Sequence, residues 1–200
     1  TEFALGDNAV VEHCKFQDES PEAFHIAALH SHLGRAVSFS SQMYSILATD
    51  PAGNPLTMSM PWTDTRAARE ANEVRAGQHA NDLVATTGCP VQAVYPLSKI
   101  RWLKAHAMLP DDAIFVSIKD YVLRRLTGLL AADRSTSSAS GMLDITTGDW
   151  SELALDVAGI RLANLPKLDS PHAEIVPETR CVLHDIGLPR ATRIVLGAGD

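Results

Sequence analysis

Short apolar runs alternate along this chain with longer amphipathic segments, and proline or glycine stands at the ends of several of them. Proline suits the first turn of a helix and glycine suits the position after its last turn, so the helical segments have recognisable boundaries. The apolar runs lie between turn-forming residues, as strands do. Helices and strands interleaved in this way predict a mixed α/β fold.

The predicted strands begin near the N-terminus. A hairpin is predicted over residues 2–11, where two apolar runs flank Gly6-Asp7-Asn8. Further strand-like runs occur at residues 36–41, at 46–49 before a turn at 50–54, and at 193–196 before Gly197-Ala198-Gly199-Asp200.

Five helices are predicted, over residues 21–33, 66–84, 96–107, 119–126 and 153–158. The segment 66–84 is rich in Ala, Glu and Arg and is expected to face solvent. Gly128 and Gly159 are expected to end the last two helices. Residues 166–189 carry several prolines and few periodic apolar residues, so an irregular surface crossing is expected there.

Composition excludes several functional classes. The chain has 24 acidic and 17 basic residues, a net charge of −7, and no Lys/Arg cluster of the kind that nucleic-acid binding needs. No apolar run approaches the ~18 residues of a membrane span, and no signal-peptide pattern opens the chain. A cytoplasmic protein of one or two compact domains, binding neither nucleic acid nor membrane, is therefore expected.

No metal site or disulfide framework is predicted. The three cysteines, Cys14, Cys89 and Cys181, are far apart and are expected to be reduced thiols. The histidines at 25, 30 and 32 lack Cys or carboxylate partners, which favours a helix surface over a metal site. Sequence motifs for a P-loop, a dinucleotide fold and an acyl-transfer serine are also absent.

The segment Gly197-Ala198-Gly199-Asp200 follows a predicted strand. Two small residues allow the backbone to approach a ligand, and a carboxylate can accept a proton from a substrate hydroxyl. Open α/β sheets also bind ligands at the carboxyl ends of their strands. On the fragment alone, an aspartate that caps a helix or accepts backbone hydrogen bonds remains the more common explanation.

Other polar segments each allow two interpretations. In Trp62-Thr63-Asp64-Thr65-Arg66, either Asp64 caps a helix and Arg66 is solvated, or the cluster faces a hydroxyl-rich ligand through charge-assisted hydrogen bonds. The segment 40–45 is either a plain turn or a sugar-contact loop. The Ser-rich run 133–142 is either a solvated loop or a hydroxyl-lined ligand edge.

These segments occur in an order that resembles the N-terminal domain of FGGY carbohydrate kinases, and the resemblance covers nearly the whole chain. The order of matching segments is more specific than any one of them. The segments are Ser40-Ser41-Gln42-Met43-Tyr44-Ser45, Trp62-Thr63-Asp64-Thr65-Arg66, Thr87-Gly88-Cys89-Pro90, Pro96-Leu97-Ser98-Lys99-Ile100-Arg101-Trp102-Leu103, Ile118-Lys119-Asp120-Tyr121, Ser138-Ala139-Ser140-Gly141-Met142-Leu143-Asp144, Asp149-Trp150 and Gly197-Ala198-Gly199-Asp200.

Within the family, the pattern is most similar to bacterial gluconokinases, with xylulokinases next. Ser40-Ser41, Ser45 and the segment 87–90 favour the gluconokinase pattern, whereas Gln42-Met43 is similar to xylulokinases. Tyr44 departs from both groups, which usually have His at that position.

The resemblance implies a ribonuclease-H-like fold of the actin and hexokinase type, a mixed sheet flanked by helices, in a two-domain kinase that uses ATP and Mg²⁺. Residues 1–200 correspond to most of the N-terminal, sugar-binding domain; the first phosphate loop and the ATP-binding domain are expected outside this chain. The implied roles are catalytic base for Asp200, substrate contacts for Gln42, Met43, Tyr44, Trp62, Asp64 and Arg66, and cofactor binding for Gly197 and Gly199.

The expected activity is phosphorylation of a small sugar or sugar acid, with D-gluconate converted to 6-phosphogluconate. D-Xylulose or a related pentulose is the alternative substrate within the same chemistry, and a non-catalytic sugar-binding domain is the alternative of another class. The expected partner is the small-molecule sugar or sugar acid. A homodimer is one alternative for the oligomeric state.

Overall fold

The computed structural model describes residues 36–177, 182–185, 187–190 and 192–199. The hairpin predicted over 2–11, the helix predicted over 21–33 and the three histidines near it lie outside these residues. Asp200, Cys14 and Cys181 lie outside them as well. The mixed α/β class predicted from the sequence is confirmed in the part that the structure describes.

Within the residues that the structure describes, short strands form three small sheets. The strands are β1 (Ala36–Ser38), β2 (Leu47–Thr49), β3 (Ile114–Val116), β4 (Ala131–Asp133), β5 (Lys167–Asp169), β6 (Glu174–Ile175) and β7 (Arg193–Val195). In the first sheet β7 is central, parallel to β1 and antiparallel to β6. β2 pairs antiparallel with β3, and β4 pairs parallel with β5. The strands predicted within 36–41, 46–49 and 193–196 are confirmed.

Two of the helices end at the glycines that were predicted to end them. The helices are α1 (Ala68–Ala76), α2 (Ala80–Thr87), α3 (Pro96–His106), α4 (Ile118–Thr127), α5 (Arg134–Ser138), α6 (Glu152–Ala158) and α7 (Val182–Asp185), with a 3-10 turn at Leu162–Asn164. Pro96 opens α3, and Gly128 and Gly159 cap α4 and α6 with left-handed backbones, at φ 84° and 69°. No helix in the described ranges is long and apolar enough to cross a membrane.

Two sequence predictions about this architecture were wrong. Residues 66–84 form two helices rather than one, because the chain at Gly77 is extended and glycine is a weak helix former. Their inner faces are buried through residues such as Val74 and Leu83, so the segment does not simply face solvent. The interval 166–189 is also less irregular than expected, since it contains β5, β6 and α7.

In the described part of the chain, two main clusters of buried side chains form the core. The larger lies between β2, β3, α1, α2, α3 and α6, with Ile100 and Phe115 among its members. The second lies between the β1-β7-β6 sheet and helices α4 and α7, with Leu123 and Ile194 among its members. Helix α4 contacts β3, β4 and α7, and it therefore connects the two halves of the described structure.

We predict that Leu123→Ala lowers the free energy of unfolding by about 2–5 kcal/mol, because the leucine is fully buried in α4 and its removal leaves a cavity. Urea unfolding of the wild type and the variant measures the difference. Arg125→Ala, at an exposed position of the same helix, is the control and should change it by no more than about 0.5 kcal/mol. Equal effects of the two variants would contradict the packing described for α4.

Candidate active site

The turn that follows β7 is held tightly by its surroundings. Gly197 has a left-handed backbone, at φ 75°, and a Cβ on it would lie 1.8 Å from the carbonyl oxygen of Phe39. Its N–H donates a hydrogen bond to the carbonyl oxygen of Pro171, at 2.9 Å. Only glycine fits this position, because the obstructing atom belongs to the backbone.

The same turn lies beside the segment predicted to contact the sugar. Gly199 forms a parallel β-bridge with Ser41, and a Cβ on Gly199 would lie 2.6 Å from Cε of Met43. Two segments that are far apart in sequence, 41–44 and 197–199, therefore meet at the carboxyl ends of β1 and β7. Asp200 follows Gly199 in the chain and lies outside the described residues, so its role as the base stays a prediction.

Residues 43–44 form a turn, and Lys99 fixes its position. Tyr44 has φ 65°, an uncommon value for a residue other than glycine. The Nζ atom of Lys99, in α3, donates hydrogen bonds to the carbonyl oxygens of Tyr44 at 2.8 Å and of Pro61 at 2.7 Å. Lys99 thus joins the 41–44 segment to the chain that leads into Trp62. Both segments were predicted to contact the substrate.

Tyr44 also contacts a second aromatic side chain. Its ring packs edge to face against Tyr95, with ring centroids 5.1 Å apart. Burial raises the pKa of the Tyr95 hydroxyl, with Tyr44 a further contributor. The 41–44 turn is therefore packed against an aromatic ring from the residue before α3, a contact that was not predicted from the sequence.

Burial has a large effect on Lys99 itself. The side chain is shut off from solvent, and this burial lowers the pKa of its ammonium group to about 8; the nearby Asp64 carboxylate opposes the shift and Arg66 adds to it. A neutral amine still has two N–H donors, which matches its two carbonyl acceptors. The hydrogen bonds to Tyr44 and Pro61 can therefore be made in either protonation state.

Asp64 and Arg66 form an ion pair at the start of the chain segment that leads into α1. The Arg66 guanidinium donates to both Asp64 oxygens, with Nη2 2.6 Å from Oδ2, and it lies 4.5 Å from the centre of the Trp102 ring. Burial alone would raise the pKa of Asp64, but the hydrogen bonds from Arg66 outweigh it and keep that pKa below its usual value.

The helix-capping interpretation of Asp64 is wrong. The N-cap of α1 is Ala67, which supplies no side-chain cap, and Asp64 instead accepts a hydrogen bond from the Arg66 backbone N–H. The Asp64 side chain is 10% exposed, that of Arg66 52%, and Trp62 is half exposed. Binding of a sugar by these three residues stays a prediction.

The Ser-rich run 133–142 is not a solvated loop. It begins with β4 and α5, and Thr136, Ser137 and Ser140 are buried. These three residues line a cavity of about 40 Å³ that also borders Tyr44 and other side chains. A space of this size admits water but not a six-carbon sugar.

Asp120 borders this cavity and was not singled out as a site residue. It forms a capping box with Ser117 at the start of α4, in which each side chain accepts a hydrogen bond from the other's backbone N–H. Burial raises the pKa of its carboxyl group to about 6, against the hydrogen bond from Ser117 and the charge of Lys119. Its Oδ1 has no hydrogen-bond partner within the described residues.

The two buried lysines were not predicted as site residues, although one feature of the sequence points to them. Lys99 precedes Leu103 by four residues and Lys119 precedes Leu123 by four, so each lysine lies on the buried stripe of its helix. Lys119 is paired with Asp133, and both side chains are almost completely buried.

The sequence predicted reduced cysteines and no metal site. Cys89 is a free cysteine, and its Sγ contacts the carbonyl oxygen of Ser138 at 3.2 Å. Within the described residues, no three His, Cys, Asp or Glu side chains gather closely enough to hold a metal ion.

The chain is similar in sequence to known carbohydrate kinases. Residues 21–200 match the model of the FGGY family of carbohydrate kinases, N-terminal domain. The chain is 32% identical over 173 residues to a gluconokinase of Bacillus subtilis (strain 168), an alignment that covers 82% of this chain and 32% of that relative. It is 26% identical over 166 residues to a xylulose kinase of Staphylococcus xylosus, covering 82% of this chain and 34% of that relative.

A solved structure is similar over the same extent. The gluconate kinase from Lactobacillus acidophilus superposes with a TM-score of 0.73 at 30% identity, covering 83% of this chain and 34% of that one. The chain spans about a third of the length of the curated relatives it matches.

We predict that the wild type gains stability relative to Lys99→Met as the pH rises from 8 towards 10.4. The folded state holds the Lys99 pKa near 8, whereas an unfolded lysine has a pKa of about 10.4, so the unfolded chain binds more protons in this window. The relative gain should approach about 1.4 kcal/mol for each pH unit.

Urea unfolding of both proteins at a series of pH values measures this difference. Below pH 8 both states carry the proton and the difference should be flat. A difference that falls with pH, or that stays flat through pH 10, would contradict the burial described for Lys99.

Proposed function

Because the chain belongs to the FGGY family of carbohydrate kinases, we propose that the complete protein transfers a phosphoryl group from ATP to a hydroxyl of D-gluconate and forms 6-phosphogluconate. The fold proposed with it is the ribonuclease-H-like fold of the actin and hexokinase type, with this chain supplying the sugar-binding side. The proposal concerns the complete protein, since the chain spans about a third of its relatives' length. A cytoplasmic location is proposed with it.

One observation carries the proposal: the contact between the 41–44 segment and the 197–199 turn. Gly199 is bridged to Ser41 and packed against Met43. A hydroxyl compound held by Gln42, Met43 and Tyr44 would therefore lie close to the point where the chain enters Asp200. Substrate and proton acceptor have to be neighbours in this chemistry, and the contact between the two segments proposed to hold them supports the proposal.

The proposed mechanism assigns proton acceptance to Asp200. As the substrate oxygen attacks the γ-phosphorus, the carboxylate takes up the hydroxyl proton, and ADP leaves with the bridging oxygen. ATP supplies the phosphoryl group, and Mg²⁺ bound with it balances the phosphate charge. The packing of Gly197 against Phe39 and of Gly199 against Met43 requires small residues in this turn, which is compatible with the proposed approach of both glycines to the nucleotide.

Two observations favour a sugar acid over a neutral sugar. The more similar of the two relatives compared above is a gluconokinase, at 32% identity against 26% for the xylulose kinase. Around Asp64, the cations Arg66 and Lys99 outnumber that one carboxylate, and all three influence one another. An excess of positive charge attracts a carboxylate substrate.

We propose that Trp62, Asp64 and Arg66 contact the substrate from the second segment. The half-exposed Trp62 ring offers an apolar face to carbon-bound hydrogens of the ligand. Arg66 gives hydrogen bonds to Asp64 and keeps further N–H donors, with half of its side chain exposed. Tyr44 replaces the histidine usual in the family, and its phenol can both donate and accept a hydrogen bond.

The substrate prediction is tested by steady-state kinetics of the complete protein with ATP and Mg²⁺ on D-gluconate and D-xylulose. We expect kcat/KM for gluconate to exceed that for xylulose at least tenfold, about 1.4 kcal/mol of transition-state binding. The reverse preference would assign the xylulokinase activity instead. Sugar binding without transfer to either compound would favour the non-catalytic alternative.

The base prediction is tested with Asp200→Asn in the complete protein. Asparagine retains the shape of aspartate but does not accept a proton at neutral pH, so kcat should fall by about 10²–10⁴-fold while the sugar KM changes little. Asp112→Asn, at an exposed position, is the matched control and should leave both constants unchanged. Near-normal turnover by Asp200→Asn would show that another group takes the proton.

A further inference from the structure

A buried ion pair lies directly behind the turn that leads into Asp200. Lys119, from α4, pairs with Asp133, at the end of β4, and the two side chains are 1% and 0% exposed. The Lys119 ammonium also donates a hydrogen bond to the carbonyl oxygen of Gly197, at 2.8 Å. Three separate parts of the fold therefore meet at one nitrogen atom.

The Gly197 carbonyl is the part of the turn that this pair controls. The other contacts of Gly197, with Phe39 and Pro171, fix where the turn begins. Its carbonyl accepts the hydrogen bond from Lys119, and an ammonium donor makes a stronger hydrogen bond than a neutral one. The direction of this peptide group decides where the next residues of the chain go.

Asp133 connects the pair to the other side of the turn. Its Oδ1 accepts a hydrogen bond from the backbone N–H of Thr136, at 2.7 Å, which caps α5. Oγ1 of Thr136 lies 3.2 Å from the position that a Cβ on Gly199 would occupy. The same aspartate thus holds Lys119 against one glycine of the turn and holds α5 beside the other.

We propose that Lys119, balanced by Asp133, is a positioning residue for phosphoryl transfer, which keeps the 197–199 turn in the path that presents Asp200 to the bound hydroxyl. This inference rests on the proposed function, in which Asp200 accepts the proton. Lys119 touches neither substrate nor reacting atoms. It acts through the Gly197 carbonyl.

A positioning role has a different kinetic signature from a purely structural one. A displacement of about 1 Å at a reacting group costs on the order of 100-fold in rate. The predicted sugar contacts come from the 41–44 and 62–66 segments, which Lys99 also holds through the carbonyl oxygens of Tyr44 and Pro61. Loss of the contact with Gly197 should therefore lower kcat much more than it raises the sugar KM.

The test compares two variants of the complete protein. Lys119→Met combined with Asp133→Asn removes both charges together, which avoids leaving one buried charge without its partner, and removes the donor to Gly197. Asp133→Asn alone is the matched control: it removes the counter-charge of Lys119 but keeps the lysine N–H donors for the Gly197 carbonyl. Its kcat is expressed per mole of folded protein, so that the stability lost with the ion pair is not counted as lost turnover. In both variants the amide oxygen introduced at position 133 can still accept the Thr136 N–H and cap α5.

We expect the double variant to lose kcat at least tenfold, with the sugar KM changed less than about threefold, and Asp133→Asn to stay within about threefold of the wild type in both constants. An unchanged kcat in the double variant overturns the proposal. Equal losses in both variants also overturn it, since the ion pair rather than the contact with Gly197 would then matter. If the methionine variant does not fold, Lys119→Leu with Asp133→Asn, which likewise has no donor for the Gly197 carbonyl, is held to the same expectations.

A second measurement does not depend on activity. The Gly197 N–H is hydrogen-bonded to Pro171, so amide hydrogen exchange at Gly197 reports how well the turn is held. Exchange should be faster in the double variant than in Asp133→Asn, and equal rates count against the proposal. A wild type that transfers no phosphate refutes the proposed function, whereas an active wild type with an unaffected double variant refutes only the role of Lys119.

Discussion

Ammonium groups buried away from water hold the loops on which the rest of this structure depends. A buried ammonium has to give its N–H groups to acceptors, and backbone carbonyls that no strand or helix uses are suitable partners. Lys99 donates hydrogen bonds to the carbonyl oxygens of Tyr44 and Pro61, and Lys119 donates one to that of Gly197. In this way α3 fixes the segments predicted to bind substrate, and α4 fixes the turn beside them.

Much of the fold was predictable because its boundaries depend on local backbone chemistry. Pro96 opens α3, and Gly128 and Gly159 close α4 and α6, as the conformational preferences of these residues require. The interruption of the predicted 66–84 helix at Gly77 was missed because good helix formers surround that glycine, and a single glycine is often tolerated within a helix. The elements within 166–189 were missed because their strands are only two or three residues long and are stabilised by pairing with distant partners.

In the candidate site, too, local sequence features were predictable and long-range contacts were not. Its segments were identified from the sequence through their resemblance to one family, but the contacts that join them were not. Lys99 is 55 residues from Tyr44 in the chain, and Lys119 is 78 residues from Gly197. Their partners are main-chain carbonyls, whose positions no residue type reveals. A lysine on the apolar stripe of a helix shows that its charge must find a partner, but only the folded chain shows which one.

The packing of Met43 on Gly199 has a consequence for how such sites diversify. Because the methionine side chain fills the space where any larger residue at 199 would place its first carbon, the two positions share one volume and cannot vary independently. Methionine is unbranched and adapts its shape, so this shared space can be redistributed without moving the backbone. A substitution library at residue 43 should therefore keep glycine at 199 constant, or pair a shorter residue at 43 with alanine at 199.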